Sequence, residues 1–324
     1  MDQATTLDAA TLEHLVTAAV AAPSMHNTQP WRFRLDPDSL TIELHAATER
    51  SLPHEDPHGR ALHLAAGAAV FNLQLAVAHF GWLPVTRSLP DPGRPGLLAT
   101  VRLTEAARAA NSRRNDLYEA IWRRRSSRLP FTDTDIPLPV RNELTEAAHA
   151  EGCALHFPEP AEAARVLRVT AQAERRNRSD ADRAAESRRW TGGHRDVGLP
   201  VDAAGPQDSF EQLPMRDFGV HRHRGDLPSD AFERRPALAL LTTAHDRRAD
   251  WLRAGQALQH ILLVATVHQL RSSLLHQALE WPDLRLKLAA AHAPFTHAQM
   301  LLRLGHGPPG TPTPRRTARH LLAE

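Results

Sequence analysis

One cysteine, Cys153, and one lysine, Lys287, stand in a chain of 324 residues. A single thiol excludes an intramolecular disulfide, a cysteine-based zinc finger and an iron–sulfur framework. No thiolate-activating context surrounds Cys153, which reads as a small packing residue. The near absence of lysine makes almost all positive charge arginine, whose planar fork of donors suits phosphate. No stretch of about 18 uncharged apolar residues occurs, and the opening MDQATTLDAATLEH carries acids early, so the expectation is a cytoplasmic chain with no membrane partner. No Gly-x-Gly-x-x-Gly fingerprint follows a strand, which excludes a resident Rossmann dinucleotide domain, and neither a Gly-x-Ser-x-Gly elbow nor a Walker loop is present. His54-Glu55-Asp56-Pro57-His58 matches the zinc-protease pattern literally, but that chemistry needs both histidines on one face of an unbroken helix and Pro57 prevents it. His221-Arg222-His223 reads as a solvated loop, and no metal site is expected.

What is there is a well-stocked chain with 42% hydrophobic residues and 39 basic against 37 acidic residues, a formal charge of +2. The length suits one large domain or two closely packed halves. A nucleic-acid binder would carry a larger basic surplus, so no nucleic-acid partner is expected. Local arginine clusters matter more than the total.

Helix signals run from Asp8 to Ala21, with Leu7, Leu12, Leu15 and Val16 near one stripe before Pro23. Trp31 to Leu35 alternates, and so does Leu40 to Leu44 after Pro37-Asp38, which predicts a hairpin. Leu62 to Phe80 is alanine-rich and apolar on most sides and belongs in the core; Gly81 ends it and Leu97 to Leu103 reads as a strand. The second half repeats the outline. Val140 to Ala150 is a helix followed by the strand-like Cys153 to Phe157, and Gly255 through Leu270 echoes Gly67 through Phe80, which suggests a duplication. Between the copies, residues 171–235 are arginine-, proline- and aspartate-rich with few aliphatics, as a functional cover or a disordered surface insertion would be. The chain ends in the Pro-rich arm Gly307 to Pro314, which delivers Arg315 and Arg316 to a fixed place.

Two segments carry chemistry. In Ala22-Pro23-Ser24-Met25-His26-Asn27-Thr28-Gln29-Pro30-Trp31, two prolines pin a loop at a helix end, Ser24 and Asn27 supply donors and acceptors, and free backbone N–H groups suit a polar heteroaromatic edge. In Arg123-Arg124-Arg125-Ser126-Ser127-Arg128-Leu129-Pro130-Phe131, guanidinium and hydroxyl groups cluster after an amphipathic stretch. Such a cluster can grip a phosphate dianion, although composition alone favours a solvated basic face.

The Pro-Ser-x-x-Asn-x-Gln-Pro-Trp segment resembles the signature loop of FMN-dependent nitroreductases, and Arg124-x-Ser126-x-Arg128 with Phe131 resembles their arginine–serine phosphate motif. The inverted order of the two is similar to the Acg-like branch of that superfamily. Asp56-Pro57-His58-Gly59-Arg60, Gly67 to Leu73, Gln299 to Gly305 and Pro314-Arg315-Arg316 agree with it. The resemblance spans nearly the whole chain apart from the insertion. It implies an α+β nitroreductase-like fold of two fused half-domains, residues 1–110 and 111–324, each with a mixed sheet flanked by helices, and residues 171–235 as a lid. Related homodimers build two FMN sites at their interface. Here one copy of each motif lies in a different half, so the resemblance implies one FMN per chain and a monomer acting as an internal pseudo-dimer.

Carried over by position, Pro23, Ser24, Met25 and Asn27 would contact the isoalloxazine and ribityl portions, and Arg124, Ser126 and Arg128 the phosphate and adjacent hydroxyls. Arg315 or Arg316 would reach the phosphate from the terminal arm, and His276, Gln277 and Ala278 would lie near the flavin's reactive nitrogen. The spacing from Arg128 to Phe131 is longer than in many nitroreductases, which leaves open which arginine holds the phosphate. Trp190, in the lid, either packs or reaches the flavin, packing being the simpler account. The implied activity is hydride transfer through flavin N5 to or from a small molecule, with NAD(P)H as a transient donor and no catalytic side chain. The alternative is an FMN store whose lid excludes nicotinamide and substrate alike.

Overall fold

The computed structural model describes residues 7–105, 112–192, 196–219, 228–290 and 296–322. Helix α1 (Ala9–Val20) starts on Asp8, whose carboxylate accepts from the backbone N–H of Thr11 at 2.6 Å, as a helix N-cap does. It buries Leu15, Val16, Ala18 and Ala19. The hairpin follows as β1 (Trp31–Asp36) and β2 (Thr41–Ala46), with Trp31 opposite Ala46. Trp31 and Phe33 point inward and Arg32 and Arg34 outward, the period-2 alternation read in the sequence. Helix α2 (Arg60–His79) leads to β3 (Trp82–Ser88) and β4 (Leu97–Glu105), giving a four-stranded sheet in the order β1-β2-β4-β3.

The remainder comprises α3 (Ser112–Arg123), α4 (Leu138–Ala150), β5 (Ala154–His156), α5 (Pro160–Ser179), α6 (Ala181–Arg189), β6 (Gln207–Asp208), β7 (Ser229–Asp230), β8 (Ala237–Thr243), α7 (Arg248–Val267), β9 (Arg271–Leu275), α8 (Pro282–Ala290), β10 (His297–Gly305) and α9 (Ala318–Leu321). Its four-stranded sheet has the order β5-β8-β10-β9. Placing β5 on β1, β8 on β2, β9 on β3 and β10 on β4 makes the two orders identical. The helix that follows the second strand of each copy, α2 after β2 and α7 after β8, corresponds as well.

The sheets differ from the mixed type expected. Every ladder within the two four-stranded sheets is antiparallel. Each sheet is two antiparallel pairs laid side by side, and its helix joins the pairs without making a parallel crossover between adjacent strands. Parallel pairing at these sheets is confined to single bridges on their edges, Leu322 beside Phe33 and Ser126 beside Ser272. The first of these bridges joins the halves.

The centre of the molecule is the crossing of α2 and α7. A Cβ on Gly67 would stand 2.0 Å from the Leu252 carbonyl oxygen and one on Gly255 2.1 Å from that of Leu64, so each glycine admits the backbone of the opposite helix. The contact is reciprocal, since residue i of one helix and i + 188 of the other exchange roles. Leu64 and Gly67 correspond in this way to Leu252 and Gly255. Helix α2 is apolar and long enough to span a membrane by composition alone, but 83% of its most apolar window is buried inside the protein, and it serves as a core helix.

The segment between β5 and β8 lies where the first half has the tight β1–β2 hairpin. It contains α5, α6 and the small β6–β7 pair. The expected insertion start at residue 171 falls inside α5, so the departure from the half-domain pattern begins just after β5. His221, Arg222 and His223 lie outside the described residues.

Candidate functional site

Three non-glycine residues in the loop after α1 adopt left-handed backbone, with φ of 49° at His26, 56° at Asn27 and 51° at Gln29. Each such residue costs on the order of 1–3 kcal/mol unless its surroundings hold it there, and here the surroundings are specific. The Ser24 hydroxyl accepts from the Gln29 N–H at 3.0 Å. Asn27 donates both amide protons, to Gly198 O at 3.0 Å and Pro314 O at 2.8 Å, and its oxygen accepts from Arg315 at 2.8 Å. Gln29 donates to Asp196 O at 2.8 Å and accepts from the Arg316 N–H at 2.9 Å. The loop is thus knotted to the inserted segment and to the terminal arm.

Arginines converge on the carbonyl end of α1. Arg315 donates from Nε to Val20 O at 3.1 Å, and Arg124 from Nη2 to Ala21 O at 3.3 Å. Arg124 is buried, and its Nε and Nη1 have no partner. No carboxylate of the described residues forms an ion pair with Arg124, Arg128 or Arg315. Burial, then the neighbouring Arg125, lowers the Arg124 guanidinium to about 10. Burial, then Arg124 and Arg125, lowers that of Arg315 to about 9. Two like charges are thus held side by side with no carboxylate of the described residues to offset them, an arrangement that costs free energy while it stays uncompensated.

Around it, Ser127 donates its hydroxyl to Pro308 O at 3.1 Å, and its N–H bonds Ser272 O at 2.8 Å. Gly310 must be glycine, since a Cβ there would stand 2.0 Å from Ser126 O. Ser126 is therefore wedged between β9 and the arm. Arg128 turns toward the inserted segment, donating to Ala203 O at 2.9 Å, with its guanidinium 4.9 Å from the Phe218 ring centre.

Opposite the loop, His276 precedes a helical turn at Gln277–Glu280. Pro23, Ser24 and Met25 face His276 across a narrow cleft that Arg60, Ala61 and Met300 also line. Burial, then Arg216 and Arg60, hold the His276 imidazole well below its usual pKa, so it is neutral. Gln277 donates to Pro214 O at 3.0 Å, and its own carbonyl oxygen is buried without a partner.

A charge cluster closes this side. Arg216 of the inserted segment pairs with Glu55 of the first half and Glu280 of the second, and Glu55 also pairs with His26. Arg183 reaches Glu280 at 3.3 Å and Asn177 reaches it at 3.0 Å. Burial alone would raise Glu55, but Arg216 and then His26 outweigh it and hold the carboxyl at about 2. Glu174 accepts from the Asp217 N–H at 2.9 Å, and there burial prevails over Arg216, raising it to about 7. Trp190 packs on Met25, Leu52 and Ala61.

The residues singled out in the sequence therefore come together from both halves, with two refinements. Arg315 stands beside Arg124, whereas the Arg316 side chain turns to Asp196 at 3.9 Å. Asn27 gives both amide protons to protein carbonyls. Sequence reading missed Arg60, Ser127 and the cluster of His26, Glu55, Arg216 and Glu280. The run Asp56 to Arg60 was a signal for Arg60, while the cluster pairs residues too far apart in the chain to be matched by motif.

The chain is 34% identical over 318 residues to a protein of Mycobacterium tuberculosis named "Putative NAD(P)H nitroreductase", covering 95% of this chain and 90% of that one. It is 28% identical over 317 residues to the "Putative NAD(P)H nitroreductase acg" of the same organism, covering 94% and 93%. Among solved structures, a putative nitroreductase from Anabaena variabilis superposes with a TM-score of 0.51 at 13% identity, over 92% of this chain and 88% of that one, a likeness of fold. No family profile matches the chain.

Proposed function

The chain belongs to the nitroreductase family, and from that premise we propose that it is an FMN-dependent oxidoreductase. In this reading its two halves do within one chain what two subunits do in related dimers. The observation that carries the proposal is the buried Arg124, with two guanidinium nitrogens unpartnered and Arg315 beside it, next to the strained Ser24–Gln29 loop. These residues fit FMN. Arg124, Arg315 and the Ser126 hydroxyl would hold the phosphate. Pro23, Ser24 and Met25 would flank one side of the isoalloxazine and His276 to Ala278 the other, with Arg128 toward the ribityl chain.

Bound there, FMN supplies hydride acceptance and donation at N5. The chain's own residues position and exclude. The Pro23–Met25 loop and the Gln277–Glu280 turn set the width of the cleft, and neutral His276 adds no charge to it. Arg216, tied to Glu55 and Glu280, holds the inserted segment over the opening and keeps water out. That closure also favours a second reading, an FMN store, because a lid held by buried ion pairs slows exchange.

Visible absorption of the purified protein, reconstituted with FMN and then titrated anaerobically with NADH and NADPH, separates these readings. A flavin band that bleaches with nicotinamide supports the oxidoreductase. A band that yields only to dithionite supports the store, and absence of FMN binding overturns both.

A further inference from the structure

A cavity of about 540 Å³ opens beside the narrow cleft and shares Met25, Arg60, Ala61 and His276 with it. Its remaining walls come from the turn at residues 55–58, Asp246, the Gln277–Glu280 turn, α7, α8 and the start of β10. The acids in those walls are already engaged. Glu55 and Glu280 pair with Arg216, Asp246 holds Arg285 at 2.6 Å, and Asp56 accepts from the N–H groups of Ala61 and Leu62 at 3.0 and 2.9 Å.

Arg60 is not engaged in that way. It is 6% exposed, and its Nη1 donates to Gln299 O at 2.6 Å. Among the described residues no carboxylate lies within ion-pair distance of it, and its Nε and Nη2 find no protein acceptor. Arg248, on the same cavity, bonds His63 at 2.8 Å and Pro95 O at 2.6 Å, again without a carboxylate. The cavity therefore holds two arginines that have no carboxylate partner among the described residues, Arg60 and Arg248, beside apolar surface from Trp251, Leu279 and Ala298. Burial, then Arg285, lowers the Arg60 guanidinium to about 10, a strain that an incoming anion relieves.

We propose that this cavity is the substrate subsite and that it selects small organic carboxylates, held by the free edge of Arg60 while their apolar body faces the cleft. The proposal rests on the oxidoreductase reading and adds to it the class of substrate. A guanidinium fork accepts a carboxylate bidentately and gains nothing comparable from a neutral amide of the same shape.

The test is calorimetric binding of 4-nitrobenzoate and of its neutral isostere 4-nitrobenzamide to FMN-loaded protein. Nitrobenzoate should bind tighter by about tenfold or more. In Arg60→Gln, with FMN content and circular dichroism checked, the ratio should fall to about one, and in Arg60→Lys it should fall part of the way. Equal binding of the two probes to the native protein overturns the proposal, and so does a ratio unchanged in both variants. Loss of FMN from the variants overturns it too, by placing Arg60 in the cofactor cradle, as does an effect confined to NADPH affinity. Should Arg60→Gln not fold, the Lys variant alone decides. If the protein binds no FMN, the oxidoreductase reading fails on its own, and the probe ratio remains measurable on the flavin-free protein because the cavity walls belong to the chain.

Discussion

Arg124 is a charged group kept from water with two of its nitrogens unpartnered, an arrangement that weakens the fold unless an anion arrives. Its replacement by the neutral Arg124→Gln should therefore act oppositely on binding and on stability. FMN affinity should fall by about ten- to a hundredfold through loss of charge-assisted bonds, and riboflavin affinity should stay the same, because riboflavin has no phosphate. The flavin-free variant should melt no lower than the flavin-free native protein. Fluorescence titration with both flavins and a thermal melt check this; equal loss of the two flavins would assign Arg124 to the ring instead. At this scale the residues of the proposed cradle could be singled out in the sequence because each part is a short contiguous motif, Pro23 to Trp31 and Arg124 to Phe131. The division of labour within the motifs was not. Asn27 looked like a ligand residue and Arg316 equal to Arg315, and only the path of the terminal arm past α1 shows Asn27 tying segments together and Arg316 turned away.

The core helices and the inserted segment obey different constraints. At the α2–α7 crossing the backbones are close enough that Gly255→Ala must push the helices apart, which should destabilise the protein by about 1–3 kcal/mol in chemical denaturation. Gly67→Ala should cost a similar amount. The double variant should cost less than the sum, because one displacement accommodates both methyl groups. In the proposed reading the inserted segment is a lid, and it should respond to pH through Glu174. Its carboxyl, raised by burial to about 7 when the lid is closed, binds a proton more tightly there than when exposed near about 4.3. Closure is then fully supported below that lower value and weakens as pH rises through the window up to about 7. Glu55 acts in the other direction, supporting closure above the ordinary carboxylate range and losing that support only as pH falls toward about 2. Stopped-flow release of FMN should be faster at pH 8 than at pH 5.5 by roughly tenfold, and Glu174→Gln should flatten that difference. Release independent of pH in the native protein would remove Glu174 from the closure. The helices and the first hairpin were readable from hydrophobic period and from Gly and Pro punctuation. The helices of the inserted segment were not, since α5 and α6 are polar on most sides and their few buried positions pack against each other, α8 and the Gln277–Glu280 turn.

The whole molecule repeats one strand order twice around the α2–α7 crossing, yet the two copies are unequal where a flavin would bind. Between α1 and β1 the first half has residues 21–30, room for the strained loop; between α4 and β5 the second half has only residues 151–153. The space beside that shorter connection is taken by Arg253, whose side chain would lie 3.0 Å from a Cβ on Gly152. The arginine–serine segment is equally unrepeated: Arg124 to Arg128 follow α3, and from there Arg124 reaches the end of α1 while Arg128 turns to the inserted segment. The chain also closes on itself. After β10 its terminal arm returns across the first half, where Arg315 grips α1 and Leu322 bridges Phe33 on the edge of the first sheet. In the proposed reading one chain supplies both sides of the site, so the site needs no second copy to complete it. FMN titration monitored by fluorescence should therefore saturate at one flavin per chain, and the flavin should stay bound on dilution with no step that depends on protein concentration. Sedimentation of the loaded protein should give the mass of one chain plus one FMN. Saturation at two flavins per chain would mean that the shorter α4–β5 connection still makes a site. Loss of flavin in step with dissociation of a dimer would mean that the cradle is shared between chains, and either result would refute the internal pseudo-dimer.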